Sequence, residues 1–138
     1  MKRNPRSFKA GLSDQTIQAL LNKARGEWKG LILIGLHTGQ RLRDIAGLDW
    51  LSVDLEKDTI RFHVAKTRRT HIFPIAGALR EYLVRLQKPS ELRGPVFPGS
   101  ACHSITELNR QFVKLAAMAG VDVGGFQALR IAFLRRFL

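Results

Sequence analysis

Cysteine occurs once, at Cys102, so no disulfide framework can form within these 138 residues and a reducing compartment is the default setting. Tyrosine also occurs once, at Tyr82, and the 11 acidic residues are outnumbered by 23 lysines and arginines. Long apolar runs are missing: the longest, around residues 31–36, falls far short of the roughly 18 residues a spanning helix needs. The opening Met1-Lys2-Arg3-Asn4-Pro5 has no signal-peptide pattern. The four histidines, His37, His63, His71 and His103, show no metal-ligand spacing, and no carboxylate cluster suggests a metal-dependent nuclease. Neither a repeat nor a low-complexity tract is present. What the chain does have is a hydrophobic fraction of 45% and a formal charge of +12. The first permits a packed domain; the second favours a polyanionic partner, nucleic acid before membrane.

Residues 1–12 are basic, hold Pro5 and Gly11, and read as an arm or linker before a domain over 13–138. Ser13 can cap a helix to about residue 23–25, with Ile17, Leu20, Leu21 and Ala24 as its apolar stripe. Residues 27–37 are apolar almost all round, which predicts a buried central helix ended by Thr38-Gly39. A short helix over 41–48 buries Leu42, Ile45 and Leu48. The period then switches to two: Ile60, Phe62 and Val64 alternate with Arg61 and His63, a half-buried strand. Residues 66–70, Lys-Thr-Arg-Arg-Thr, form a basic turn, and residues 71–74 return as a second strand. Leu79, Leu83 and Leu86 mark the next helix, and residues 88–103 read as a loop. Ser104 and Glu107 form a capping box for a helix to about residue 119, stopped by Gly120. A last helix opens around Phe126–Arg130. The fold expected is mainly α with a small antiparallel hairpin or sheet, an α+β domain.

Residues 38–41 read Thr-Gly-Gln-Arg. Placed on one helix face at i and i+3, Asp44 can hold Arg41 in the orientation that grips a phosphate with both guanidinium arms. A solvated surface pair is the alternative. Lys66 tops the hairpin, and Gln127-Ala128-Leu129-Arg130 opens the last helix.

In this order and spacing, the three features resemble the catalytic domain of the tyrosine recombinases, the phage integrase family. The resemblance runs from about residue 12 to Arg130. Thr38-Gly39-Gln40-Arg41 through Leu48-Asp49-Trp50 is similar to the family's first arginine motif. Lys66-Thr67 with Ile72-Phe73-Pro74-Ile75 is similar to its lysine hairpin. Val96-Phe97-Pro98, Ala119-Gly120-Val121 and Leu129-Arg130 are similar to the approach to its second arginine. The resemblance implies DNA cleavage by attack of a tyrosine hydroxyl on a backbone phosphate, reversed by a 5′-hydroxyl of another strand. Arg41 and Arg130 would clamp the phosphate as charge gathers on its oxygens, Asp44 would orient, and Lys66 would protonate the leaving oxygen. Arg43, Thr67, Arg68 and Arg69 would contact the DNA; solvated hairpin charges are the alternative for Arg68 and Arg69. It also implies double-stranded DNA as partner, a bacterial-type cytoplasmic location at the nucleoid when DNA-bound, and neither metal nor cofactor.

Two departures stand out. Gln127 occupies the family's usual histidine position; it can donate to phosphate but cannot exchange a proton near neutral pH. The nucleophilic tyrosine segment is absent after Arg130, and Tyr82, spaced with Leu79 and Leu86, reads as core. The sequence thus looks like an integrase catalytic domain truncated at both ends, binding DNA without cleaving it alone. Three alternatives remain: an enzyme completed by a tyrosine in trans, a non-enzymatic modulator of an intact recombinase, and a remnant without function. Leu134, Phe137 and Leu138 have no evident partner, which points to self-association through the last helix.

Overall fold

Ser13 sets the first helix. Its Oγ accepts the Thr16 N–H at 3.1 Å, satisfying one of the unpaired amides of α1 (Asp14–Lys23). The computed structural model describes residues 12–64, 67–87 and 93–137, and for Val64, Arg136 and Phe137 the backbone only. The arm expected over 1–12 therefore lies outside the described residues save for Leu12, as do Lys66, Leu138 and the side chain of Phe137.

α2 (Glu27–Thr38) is buried from Gly30 through Leu36, as its all-round apolar sequence predicts. Neighbouring rings press into it where glycine leaves room. A Cβ on Gly30 would stand 2.5 Å from Tyr82 Cε2, and one on Gly35 would stand 2.8 Å from Phe126 Cζ. α2 ends at Gly39, which takes the left-handed conformation at φ 66°. The next helix, α3 (Leu42–Ala46), is shorter than the sequence suggests, and Arg41 is its cap rather than its first turn.

A 3-10 turn (Trp50–Ser52) leads into a three-stranded antiparallel sheet, β1 (Val53–Asp54), β2 (Thr59–Val64) and β3 (Arg69–Pro74), ordered β1-β2-β3. Ile60 and Phe62 are buried while Arg61 and His63 face out, the alternation the sequence shows. β3 begins two residues earlier than expected: Val64 pairs with Arg69, so Arg69 belongs to the ladder and not to the turn. β1, unforeseen, is held by Val53↔Ile60 and Asp54↔Thr59.

α4 (Gly77–Leu86) buries Leu79 and Leu83. The stretch read as a loop over 88–103 contains structure: a bridge between Asp49 and Pro95, and the four-residue α5 (Pro98–Ala101). The α5 amides Gly99 and Ser100 donate to the Glu27 carboxylate at 3.0 and 2.7 Å, a cap supplied from α2 that no local pattern announces. In α6 (Ile105–Met118), Ser104 Oγ accepts the Glu107 N–H at 3.1 Å. The reciprocal half of the capping box does not form, because the Glu107 carboxylate turns to Arg110. α7 (Gln127–Phe137) packs on α2. Phe126, just ahead of it, sits 5.4 Å from Phe112, which lies 5.7 Å from Trp28. That aromatic nest fixes where α7 begins. The result is the α+β class expected, mainly helical with a small antiparallel sheet.

Candidate functional site

The left-handed turn at Gly39 reverses the chain out of α2 and delivers Arg41 to the N-terminus of α3. From the other end of the sequence, the Phe126 nest delivers Gln127 and Arg130 on the first turn of α7. The two segments meet around an open cavity of about 500 Å³, whose lining includes Arg41, Arg43, Asp44, Gln127 and Arg130. Five of the residues singled out by the sequence thus converge.

Arg130 is the best-held of them. Its Nε donates to the Gly39 carbonyl at 2.7 Å, and its Nη1 donates to Gln127 Oε1 at 3.0 Å. A guanidinium only donates, so the Gln127 amide must present its oxygen to Arg130 and its NH2 elsewhere. Nη2 of Arg130 has no partner among the described residues. Burial, then the positive charge of Arg41, lowers the Arg130 pKa, and Asp44 pulls it back up. Two guanidiniums this close repel one another, and an anion between them would relieve the repulsion.

Arg41 and Asp44 do not pair as the i, i+3 spacing suggests. With ψ at 147°, Arg41 is outside the helical frame, so its side chain leaves α3 in a different direction from Asp44. No hydrogen bond or ion pair joins them among the described residues; the Asp44 charge is felt at Arg130 instead. Arg41 and Arg43 are both exposed.

The described hairpin residues Thr67, Arg68 and Arg69 are not part of the cavity lining. Thr67, Arg68 and Arg69 are exposed at the end of the sheet, Arg68 with φ at 54°, and Lys66 lies outside the described residues. Sequence reasoning missed two contributors. The Gly39 carbonyl pins Arg130, and Asn109 on α6 lines the cavity. The Thr-Gly pair signalled a turn but not the bond its carbonyl makes 91 residues away, and nothing local marks Asn109.

Tyr82 sits elsewhere. Its ring lies over Gly30, its hydroxyl donates to the Gly26 carbonyl at 3.3 Å, and it lines a separate groove with Lys29 and Arg85. Burial, then the Glu27 charge, pushes its pKa up, against a backbone hydrogen bond with Gly30. Tyr82 is not among the residues that line the arginine cavity. His37 is local structure, with Nδ1 2.7 Å from the Leu33 carbonyl. Among the described residues, no group of three His, Cys, Asp or Glu side chains is placed to hold a metal, and no helix is long and apolar enough to cross a membrane.

The chain resembles several solved structures. The integrase of mycobacterium phage Brujita superposes with a TM-score of 0.74 at 24% identity, covering 96% of this chain and 44% of that one. The catalytic domain of bacteriophage HP1 integrase gives 0.68 at 23% identity, covering 92% and 70%. A lambda integrase dimer bound to a COC′ core site gives 0.62 at 16% identity, covering 88% and 37%. At these identities the likeness is one of fold, and the chain spans less than half of the Brujita and lambda proteins. No curated protein matches it in sequence. The phage integrase family, however, matches residues 10–137, almost the whole length, and the arginine motifs fall together in space as they fall in order along the sequence: the chain belongs to the phage integrase family.

Proposed function

We propose that these 138 residues bind double-stranded DNA as the catalytic domain of a site-specific recombinase and do not cleave it by themselves. Arg41 and Arg130 grip a backbone phosphate, the outward NH2 of Gln127 donates to it, and Asp44 tunes the pair electrostatically. Arg43, Thr67, Arg68 and Arg69 contact the DNA backbone, and Lys66 is the acid for the leaving 5′-oxygen. The nucleophile comes from outside these residues, since Tyr82 is tied to the α2–α4 packing. One observation carries the reading: Arg41 and Arg130 line one open cavity, Arg130 pinned at Nε and Nη1, with Nη2 unpartnered among the described residues. That arrangement serves an anion with several oxygens better than it serves the fold. The lambda integrase bound to its core site supports DNA as the source of that anion.

A duplex carrying a nick beside the scissile phosphate traps a covalent adduct whenever a tyrosine attacks. The expected outcome is salt-sensitive binding and no adduct. Arg41→Ala should weaken binding by about 1.5–3 kcal/mol and flatten the slope of log affinity against log salt by about one. An adduct lost in Tyr82→Phe would make the chain self-sufficient and the core placement of Tyr82 wrong. An adduct formed only with an intact recombinase present would show a tyrosine supplied in trans.

A further inference from the structure

The arginine cavity has a neighbour. Next to it, a second open pocket of about 280 Å³ shares Arg43 and Asp44 with the first and is lined beyond them by Ser52, Arg61 and His63 among others. Arg61 and His63 stand two apart on β2, so both project from its outer face. Arg61 is fixed there, its Nη2 donating to the Leu51 carbonyl at 3.0 Å. Two carboxylates also face this pocket, Asp44 from α3 and Asp49 from the segment after it. Asp49 is engaged, its Oδ1 accepting the Leu51 N–H at 2.8 Å. Asp44 bears on Arg130. Across the sheet, His63 pairs in register with the neutral Thr70, with Arg69 one step further along β3.

With imidazole neutral, the two guanidiniums and two carboxylates of the pocket cancel. With imidazole protonated, the pocket carries one net positive charge and a further N–H donor. Histidine is the side chain that makes this change between pH 5 and 8. A polymer of phosphates bound at the first cavity necessarily brings further phosphates alongside it.

We propose that Arg43, Arg61 and His63 form a second anion subsite, which holds a DNA phosphate neighbouring the one gripped by Arg41 and Arg130 and tightens as His63 gains a proton. The inference rests on the DNA-binding reading above. It makes the affinity for DNA pH-dependent through one exposed side chain that lies outside the arginine cavity.

Fluorescence anisotropy with a labelled duplex at constant ionic strength, at about pH 5.5 and about pH 8, tests it. The chain should bind roughly fivefold tighter at the lower pH. His63→Gln should lose most of that ratio, although His37, His71 and His103 remain. His63→Lys, which fixes the charge, should bind at the higher pH about as tightly as the unaltered chain binds at the lower. Arg61→Gln should weaken binding at both. A His63→Gln variant with an undiminished pH ratio, in a chain whose binding still falls on Arg41→Ala, overturns the subsite and leaves the DNA reading standing. No binding by the unaltered chain at either pH overturns both.

Discussion

Gly39 meets two demands with one residue. Its φ of 66° suits glycine, and a Cβ there would stand 2.6 Å from Phe133 Cδ2. Phe133 is three residues after Arg130 on α7, so the bulk that would push it away would also pull Arg130 from the Gly39 carbonyl. Gly39→Ala should therefore destabilise the domain by about 1–3 kcal/mol, measured by urea denaturation, and should weaken DNA binding. Combining it with Phe133→Ala should cost less than the two changes summed, because the smaller side chain removes the clash. Strict additivity would show that the contact is not what makes the glycine necessary. Tyr82 gives a second test. Its raised pKa means that stability is complete below the ordinary phenol range and falls as pH rises through the folded value. Absorbance titration of the phenol should give a midpoint above 10.0, moving down on denaturation. At this scale the sequence was legible where residue type and order mark side chains that meet, as Arg41, Gln127 and Arg130 do around one cavity. It was opaque where the link is non-local. The Asp44 partner was misread because helical spacing applies only inside a helix, and Arg41 stands one residue before it.

Helices announced themselves by period and cap, and the element at 105–118 also shows how an exposed ion pair enters stability. Hydrogen bonds from Arg110, then from Gln111, hold the Glu107 carboxyl at about 2, below its ordinary 4.5. A lowered carboxyl pKa contributes stability above the unfolded value, and that stability is lost as pH falls from 4.5 towards 2. Melting followed across that window should fall less steeply in Glu107→Gln, and added salt should shrink the difference between the two chains. Equal acid limbs would mean that the Arg110 contact does not bear on folding. β2 and the long helices were legible because each carries several periods of its pattern. β1 has two residues and no period; only its pairing with Ile60 and Thr59 makes it a strand. α5 hides among prolines and glycines because its cap is Glu27, distant in sequence and near in space.

Across the whole molecule, 23 basic residues against 11 acidic ones make a charge of +12 that repels itself. Anions that settle between Arg41 and Arg130 should therefore stabilise the fold as well as report on the site. Sulfate at ten times its dissociation constant should add about 1.4 kcal/mol, seen as a higher melting temperature than in chloride of equal ionic strength. Arg41→Ala combined with Arg130→Ala should abolish that excess; if it survives, the anion binds elsewhere. Leu134 is 50% exposed on α7, and Leu51 and Ile72 are exposed on the sheet side, so apolar surface is spread over separate faces.

The ring-filled notches of α2 also constrain how its gene can change. Tyr82 rests at Gly30, Phe126 at Gly35 and Phe133 at Gly39, so two segments, α4 and the run from Phe126 into α7, are keyed to one shaft. One inserted codon between positions 30 and 39 would turn everything beyond it by about 100° and advance it by about 1.5 Å. Every later key would then miss its slot, and the two arginines would part company. Point substitutions can drift at its positions other than these three glycines while its length stays frozen. Length variation among working descendants of this gene should gather instead in the connections on either side.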